Sequence, residues 1–397
     1  MSEQKKVLVI GASGMVGMAT VEALRSHLPV DIITYDRAPD EAGLKARSER
    51  TANFNKLKQH DLLDKQQAEW ITCQMPQLAH EQQGSVSNAG ELAEALSARP
   101  DCIVIASGIP RKAGRSSNEK FSPLVPLNAP YFRELGETIA DAYVTSLKKH
   151  SGAAFPIIIN TGNPVDTMAE LLVKTISSRL ASHMREALKA NDTELAARLG
   201  KDIKEIPKKV MGQGGVIDSS RAAFSLQSEL GIPLNQIAEL PVLGPHNAHM
   251  VVGFEGIKIH KDGHIVSLEE YLGRPVTDAE KDAINKHTRD GAATVLADTQ
   301  TKTGLAQTAL FGTAASVTQM VQAALGDKEV KLCASVYDPI LDRSVGRPIK
   351  LNHNGATLSG RGLDDVTHQQ LQKGIAALTV AFEAAQEACG LQATREK

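Results

Sequence analysis

The sequence predicts an α/β protein built on an open, doubly wound parallel sheet, followed by a mixed α+β segment. Three observations carry this. Short apolar runs with little polar interruption recur at residues 7–10, 31–36, 101–106 and 156–160. Stretches with helical apolar spacing separate several of them. Glycine-, asparagine- or proline-bearing turns follow the runs, as at ASGIP and NTGNP. Strands that are apolar throughout are buried on both faces, and alternation with helices makes them parallel.

Residues 7–10, Val-Leu-Val-Ile, read as the first strand. Met15, Val16, Ala19, Ala23 and Leu24 then recur at helical spacing. Between strand and helix lie Gly11, Gly14 and Gly17 in the stretch VIGASGMVG. Gly11 suits a tight turn, Gly14 lets a pyrophosphate approach the backbone, and Gly17 lets helix pack on strand. The helix start offers free N–H groups and the positive end of its dipole to that phosphate. The second run ends in Asp36, 19 residues after Gly17. A carboxylate there accepts a ribose 2′-hydroxyl and repels a 2′-phosphate, which favours NAD over NADP. The flanking Met15 and Val16, and Ser107 and Gly108 at the end of the third run, complete the expected cofactor contacts.

Residues 38–100 are polar and hard to read, apart from a helical stretch at 90–96. Residues 183–206 are charged and helical in pattern, suggesting a solvated helix or an insertion. Beyond them, residues 239–242, 249–259, 330–337 and 347–351 read as strands. Residues 278–298, 306–325 and 365–386 read as helices. The division expected is a dinucleotide-binding domain at 1–162 and a substrate domain at 163–397.

The chain has 397 residues, 42% hydrophobic and 23% charged, with a net charge of −2. That balance carries no basic excess for nucleic acid or an anionic membrane. No apolar run reaches the roughly 20 residues that span a bilayer. The four cysteines, Cys73, Cys102, Cys333 and Cys389, are far apart, as expected of reduced thiols in a cytoplasmic protein. His246 and His249 form an H-x-x-H, but no HExxH or CxxC accompanies it, so no metal is expected.

Chemistry concentrates in the second half. VMGQGGVIDSSR places Asp218 and Arg221 three residues apart, on one face of a helix. LGPHNAHM places His246 just after a glycine. An aspartate beside a histidine sets the imidazole tautomer and stabilises the imidazolium, which acid–base work near neutral pH needs. A neighbouring arginine can clamp a substrate carboxylate with two parallel hydrogen bonds.

The ordered motifs GASGMVG, ASGIPRKAG, NTGNPVD, VMGQGGVIDSSR and LGPHNAHM resemble the lactate and malate dehydrogenases over most of the chain. The resemblance implies a Rossmann domain, an α/β substrate domain, and hydride transfer between NAD and a 2-hydroxy acid. It makes His246 the acid–base catalyst, Asp218 its partner and Arg221 the clamp on the substrate carboxylate. It gives Asn163 a hydrogen bond to the reacting oxygen and a place beside the cofactor. It puts Asn128 near the nicotinamide ribose and Thr308 on the substrate wall. It also implies a homodimer or homotetramer.

Arg111 stands where malate enzymes of this family carry an arginine and lactate enzymes a glutamine. A second cation there suits a small dicarboxylate, since beside a monocarboxylate it would be a desolvated charge without a partner. Malate is therefore expected before lactate. Ser117 stands where the family carries a further arginine, and Arg115 precedes it by two residues in a longer loop. Two readings of other classes stay open: an NAD-dependent glycosidase needing metal, and a nucleotide binder without catalysis. Cys102 and Cys333 lie outside the motifs that such a metal would use.

Overall fold

The computed structural model describes residues 4–37, 41–76, 84–108, 125–359 and 365–390. Arg111, Arg115 and Ser117 lie outside them. A nine-stranded sheet forms the centre. Its parallel part comprises β1 (Lys6–Ile10), β2 (Asp31–Tyr35), β3 (Val86–Ala89), β4 (Cys102–Ile105), β5 (Ile157–Asn160) and β6 (Val210–Gly212). The order β3-β2-β1-β4-β5-β6 reverses between β1 and β4. Ligands of doubly wound sheets bind at that reversal, outside the carboxyl ends of the strands. The fold class read from the sequence is the one observed.

The pleat explains why these strands are apolar throughout. Val7, Val9, Cys102, Val104, Ile157 and Ile159 point into one layer. Leu8, Ile10, Ile103, Ile105 and Ile158 point into the other. The helices that cover the two faces start with α1 (Met15–His27), α2 (Glu41–Lys58), α3 (Leu63–Cys73) and α4 (Leu92–Ser97). They continue with α5 (Val125–Lys149), α6 (Val165–Lys189), α7 (Thr193–Lys209) and α8 (Gly214–Leu230). Leu24 of α1 and Ile71 of α3 pack on the first layer, while α5 and α6 pack on the second.

The remaining chain contributes β7 (Ile237–Glu239), β8 (Val242–Leu243), β9 (Val251–Val252), β10 (Lys258–Lys261) and β11 (His264–Ser267). These strands pack with α8, α9 (Leu268–Leu272) and α10 (Asp278–Thr303) around a separate apolar cluster. The chain then returns to the main sheet. Helix α11 (Phe311–Leu325) joins the first layer, and β12 (Val330–Asp338) pairs antiparallel with β6. Strands β13 (Arg343–Asn352) and β14 (Gly355–Leu358) extend the sheet, and α12 (Asp365–Ala388) closes the second layer.

Several local expectations differ from what is observed. Residues 249–259 are two short strands rather than one, because a tight helical turn at Phe254–Gly256 separates β9 from β10. A Cβ on Gly256 would lie 2.6 Å from Pro241 Cγ, so chain crossing sets that break. Residues 183–206 are not a merely solvated helix. They end α6 and form most of α7, whose Leu199 and Ile206 are fully buried in the second layer. Their spacing lies among lysines and glutamates that cover the outer face. Residues 239–242 straddle a break between β7 and β8.

The glycine turn is sterically exacting. A Cβ on Gly17 would stand 2.1 Å from Gly11 O and 2.7 Å from Ala12 Cα. Gly152 has open space where its Cβ would go. Gly17→Ala is expected to cost about 3 kcal/mol through overpacking, while Gly152→Ala changes little. Thermal melts of both variants check this, and equal melting temperatures would contradict the tight turn.

Candidate active site

Three loops meet at the carboxyl ends of the parallel strands. The first is the glycine turn after β1. Gly11 has φ +87, in the region that favours glycine, and its N–H donates to Tyr35 O. A Cβ there would lie 2.7 Å from Ser107 Cβ, so this turn abuts the end of β4. Helix α1 starts at Gly14 with no side-chain cap and no acid in its first turn. Its first N–H groups are thus open to an anion.

Asp36, one residue past β2, behaves differently from the simple expectation. Both its carboxylate oxygens accept the Ser13 N–H, at 3.0 and 2.9 Å. Arg47 stands 3.8 Å away. A carboxylate has about four lone-pair sites, so acceptor capacity remains for a ribose hydroxyl. Asp36 thus shapes the glycine turn.

The second loop follows β4. Ser107 Oγ bonds Tyr131 Oη at 2.6 Å. Burial pushes the Tyr131 phenol above its ordinary value, and the Arg37 guanidinium lies 4.4 Å over its ring. Asn128, buried on α5, sits close to Gly108 and donates through Nδ2 to the Asn163 carbonyl at 2.7 Å. Asn163 opens the third loop, after β5; it is exposed and is joined to Pro164 by a cis peptide. The structure therefore brings Gly11, Gly14, Ser107, Gly108, Asn128 and Asn163 to one edge.

The densest cluster adjoins them. Helix α8 carries Asp218 and Arg221, both almost fully buried. Asp218 Oδ1 accepts from an Arg221 guanidinium nitrogen at 2.8 Å. Its other oxygen lies 2.6 Å from His246 Nδ1. That contact occupies Nδ1 and leaves Nε2 for a ligand. His246 follows β8 by way of Gly244 and Pro245, and its N–H donates to Asp166 Oδ2 at 2.8 Å. Gly244 bonds Gly346 of β13 in both directions at 3.0 Å, tying the histidine loop to the main sheet.

Small residues make room for this cluster. A Cβ on Gly214 would stand 2.9 Å from the His246 side chain. One on Gly291 of α10 would stand 2.8 Å from Arg221 Cδ. Arg221 Nε is buried without a hydrogen-bond partner among the described residues. A buried guanidinium with one donor unmet is prepared for an incoming acceptor such as a carboxylate.

Sequence reasoning missed Asp166, Asp64, Gly214 and Gly291. Asp166 sits inside the NPVD motif, and burial raises its carboxyl above the ordinary aspartate value, against the opposing pull of His246. Asp64, in the segment that resisted reading, is also raised by burial. It accepts the N–H groups of Leu310, Phe311 and Gly312 and so anchors the start of α11. Thr308 lies in the turn before that helix. No hydrogen bond or ion pair joins it to His246, Asp218 or Arg221 among the described residues.

Known proteins are similar to this chain in sequence and in fold. A malate dehydrogenase of Neorickettsia sennetsu is 32% identical over 235 residues, 59% of this chain and 58% of that protein. The match thus spans less than two thirds of that relative. A malate dehydrogenase of Francisella tularensis is 28% identical over 297 residues, 72% of this chain and 76% of its own. The chain is thus similar in sequence to malate dehydrogenases over part of its length. Solved structures agree on the fold. Malate dehydrogenase from Plasmodium falciparum superposes with a TM-score of 0.66 at 18% identity, covering 97% of this chain and 100% of its own. Lactate dehydrogenase of Cryptosporidium parvum, complexed with lactic acid and nicotinamide adenine dinucleotide, gives 0.65 at 18%, covering 97% and 99%. No family model matches the chain.

The buried ion pair makes a testable demand. Asp218→Ala strands the Arg221 cation, and a loss of about 3 kcal/mol in unfolding free energy is expected. Asp218→Asn keeps the volume and one acceptor, so its loss is smaller. Denaturant melts of the two variants separate these cases; equal stability to the parent would contradict the pairing.

Proposed function

We propose that the chain is an NAD-dependent dehydrogenase that interconverts malate and oxaloacetate. The observation that carries this is the shared Asp218 carboxylate, with His246 on one oxygen and Arg221 on the other. Residues 1–162 serve the dinucleotide and residues 163–397 the substrate in this reading. The uncapped start of α1, with no acid in its first turn, supports a pyrophosphate there. When bound, NAD supplies the hydride acceptor. Gly11, Gly14, Met15, Val16 and Gly17 line the turn that would hold it, with Asp36 toward the ribose and Ser107, Gly108, Asn128 and Asn163 further along the crevice.

The chain's own groups then divide the work. Arg221 binds the carboxylate next to the reacting carbon and fixes its orientation. Nε2 of His246 takes the hydroxyl proton during oxidation and returns it during reduction. Asp218 stabilises the imidazolium that forms meanwhile. Asn163 donates to the reacting oxygen. Arg111, outside the described residues, is assigned the far carboxylate, and Arg115 the part of the loop arginine that Ser117 does not supply; Thr308 belongs to the wall. The loop motif IPRKAG supports a dicarboxylate over a monocarboxylate. Four unpaired cysteines support a cytoplasmic setting, where the reaction would serve the tricarboxylic acid cycle. Likeness to the family supports a homodimer or homotetramer.

NADH oxidation with oxaloacetate, pyruvate and other 2-keto acids tests this directly. Oxaloacetate is expected to turn over fastest, with NADH preferred to NADPH. His246→Asn should lower kcat by about 10²–10⁴-fold. Arg221→Lys should mainly raise KM, because an ammonium cannot form the two-pronged bond. Arg111→Gln should move preference toward pyruvate. Turnover on another 2-keto acid with none on oxaloacetate would sink the malate assignment.

A further inference from the structure

A second cavity lies at the opposite edge of the sheet. Its volume is about 330 Å³, within the range of small-molecule sites. It is built on the amino ends of four parallel strands: Lys6 opens β1, Asp101 precedes β4, Ile157 opens β5 and Lys209 precedes β6. No part of the dehydrogenase reading uses it.

Its charge is unbalanced. Lys5, Lys6, Arg99 and Lys209 line it, and Asp101 is the one carboxylate among the described lining residues. Lys5 occupies that carboxylate at 2.9 Å. Arg99 and Lys209 form no ion pair with a described residue. Lys209 is partly buried, donates to the His353 carbonyl at 2.9 Å, and is held below its ordinary value by burial. The Glu205 and Asp202 carboxylates attract it from a distance without offsetting that burial, so a bound anion in direct contact lowers the cost further.

The other walls are apolar: Tyr143, Phe155 and Leu325 face the same space. Ser146, also lining it, has its hydroxyl oxygen buried without a hydrogen-bond partner among the described residues. Cations without an ion pair and aromatic rings lining one cavity suit a ligand with an anionic head and an apolar body. A phosphate monoester carries close to two charges at neutral pH and three acceptor oxygens, enough for both cations and the hydroxyl. We propose that this cavity binds a small organic phosphate monoester, its phosphate between Arg99 and Lys209 and its body against Tyr143 and Phe155.

Phenyl phosphate is the probe, titrated calorimetrically into the full chain, with inorganic phosphate, benzoate and phenol as separate arms. Saturable binding of phenyl phosphate is expected, with each other arm at least about tenfold weaker. Lys209→Met and Arg99→Asn should each weaken it about tenfold or more while NADH binding and melting temperature hold. Asparagine is chosen because Arg99 has φ +54, which asparagine tolerates. The titration is repeated with saturating NADH, which should leave it unchanged. Competition by NADH would place the phosphate at the glycine turn and overturn the proposal. So would equal binding of benzoate or inorganic phosphate, or indifference to both substitutions. The cavity titration stands whether or not the protein turns over oxaloacetate, so the two readings fail separately.

Discussion

A buried carboxylate, Asp218, lies within hydrogen-bond distance of both a guanidinium and an imidazole, and this shared anion governs the arrangement around it. Without it, Arg221 would be a cation in a dry interior and His246 a ring free to choose its tautomer. With it, one oxygen neutralises the arginine and the other fixes which imidazole nitrogen stays available. The geometry is cheap to maintain because both charged residues of the pair share one turn of α8. The histidine arrives from elsewhere, held by Asp166 through its backbone and by the Gly244–Gly346 pairing. The neighbouring glycines, Gly214 and Gly291, are the spaces that the three side chains fill.

The fold was legible where its physics is local. Four apolar runs with turns behind them marked β1, β2, β4 and β5, since strands covered on both faces have nothing polar to show. Strand β3 was invisible: it is an edge strand of Val-Ser-Asn-Ala, largely exposed, and its pairing with β2 is a tertiary fact. Helix α7 was hidden similarly, because lysines and glutamates outnumber the few residues it buries. In the site, His246, Asp218 and Arg221 were legible through motif chemistry, and the fold brings them together. Asp166 and Asp64 were not, because their value comes from burial against backbone N–H groups distant in the chain. Asp64 caps a helix that starts 247 residues later, and nothing in its neighbours announces that.

The sheet also sorts functions by its ends. Its carboxyl edge gathers the glycine turn, the asparagines and the Asp218–Arg221–His246 cluster. Its amino edge gathers lysines and an arginine around an apolar hollow. Each of β1, β4, β5 and β6 contributes to both, at opposite termini only three to five residues apart. Short strands thus separate two chemically different surfaces by little more than their own length.

Strand β6 has a mechanical consequence. It bonds to β5 on one side and to β12 on the other, so the sheet passes without interruption from the first part of the chain into the second. A clamshell rotation between the two parts would have to unzip those ladders. The imidazole and guanidinium are therefore bolted to the same slab that presents the glycine turn, and any breathing of the crevice belongs to connecting segments rather than to a swivel of whole lobes.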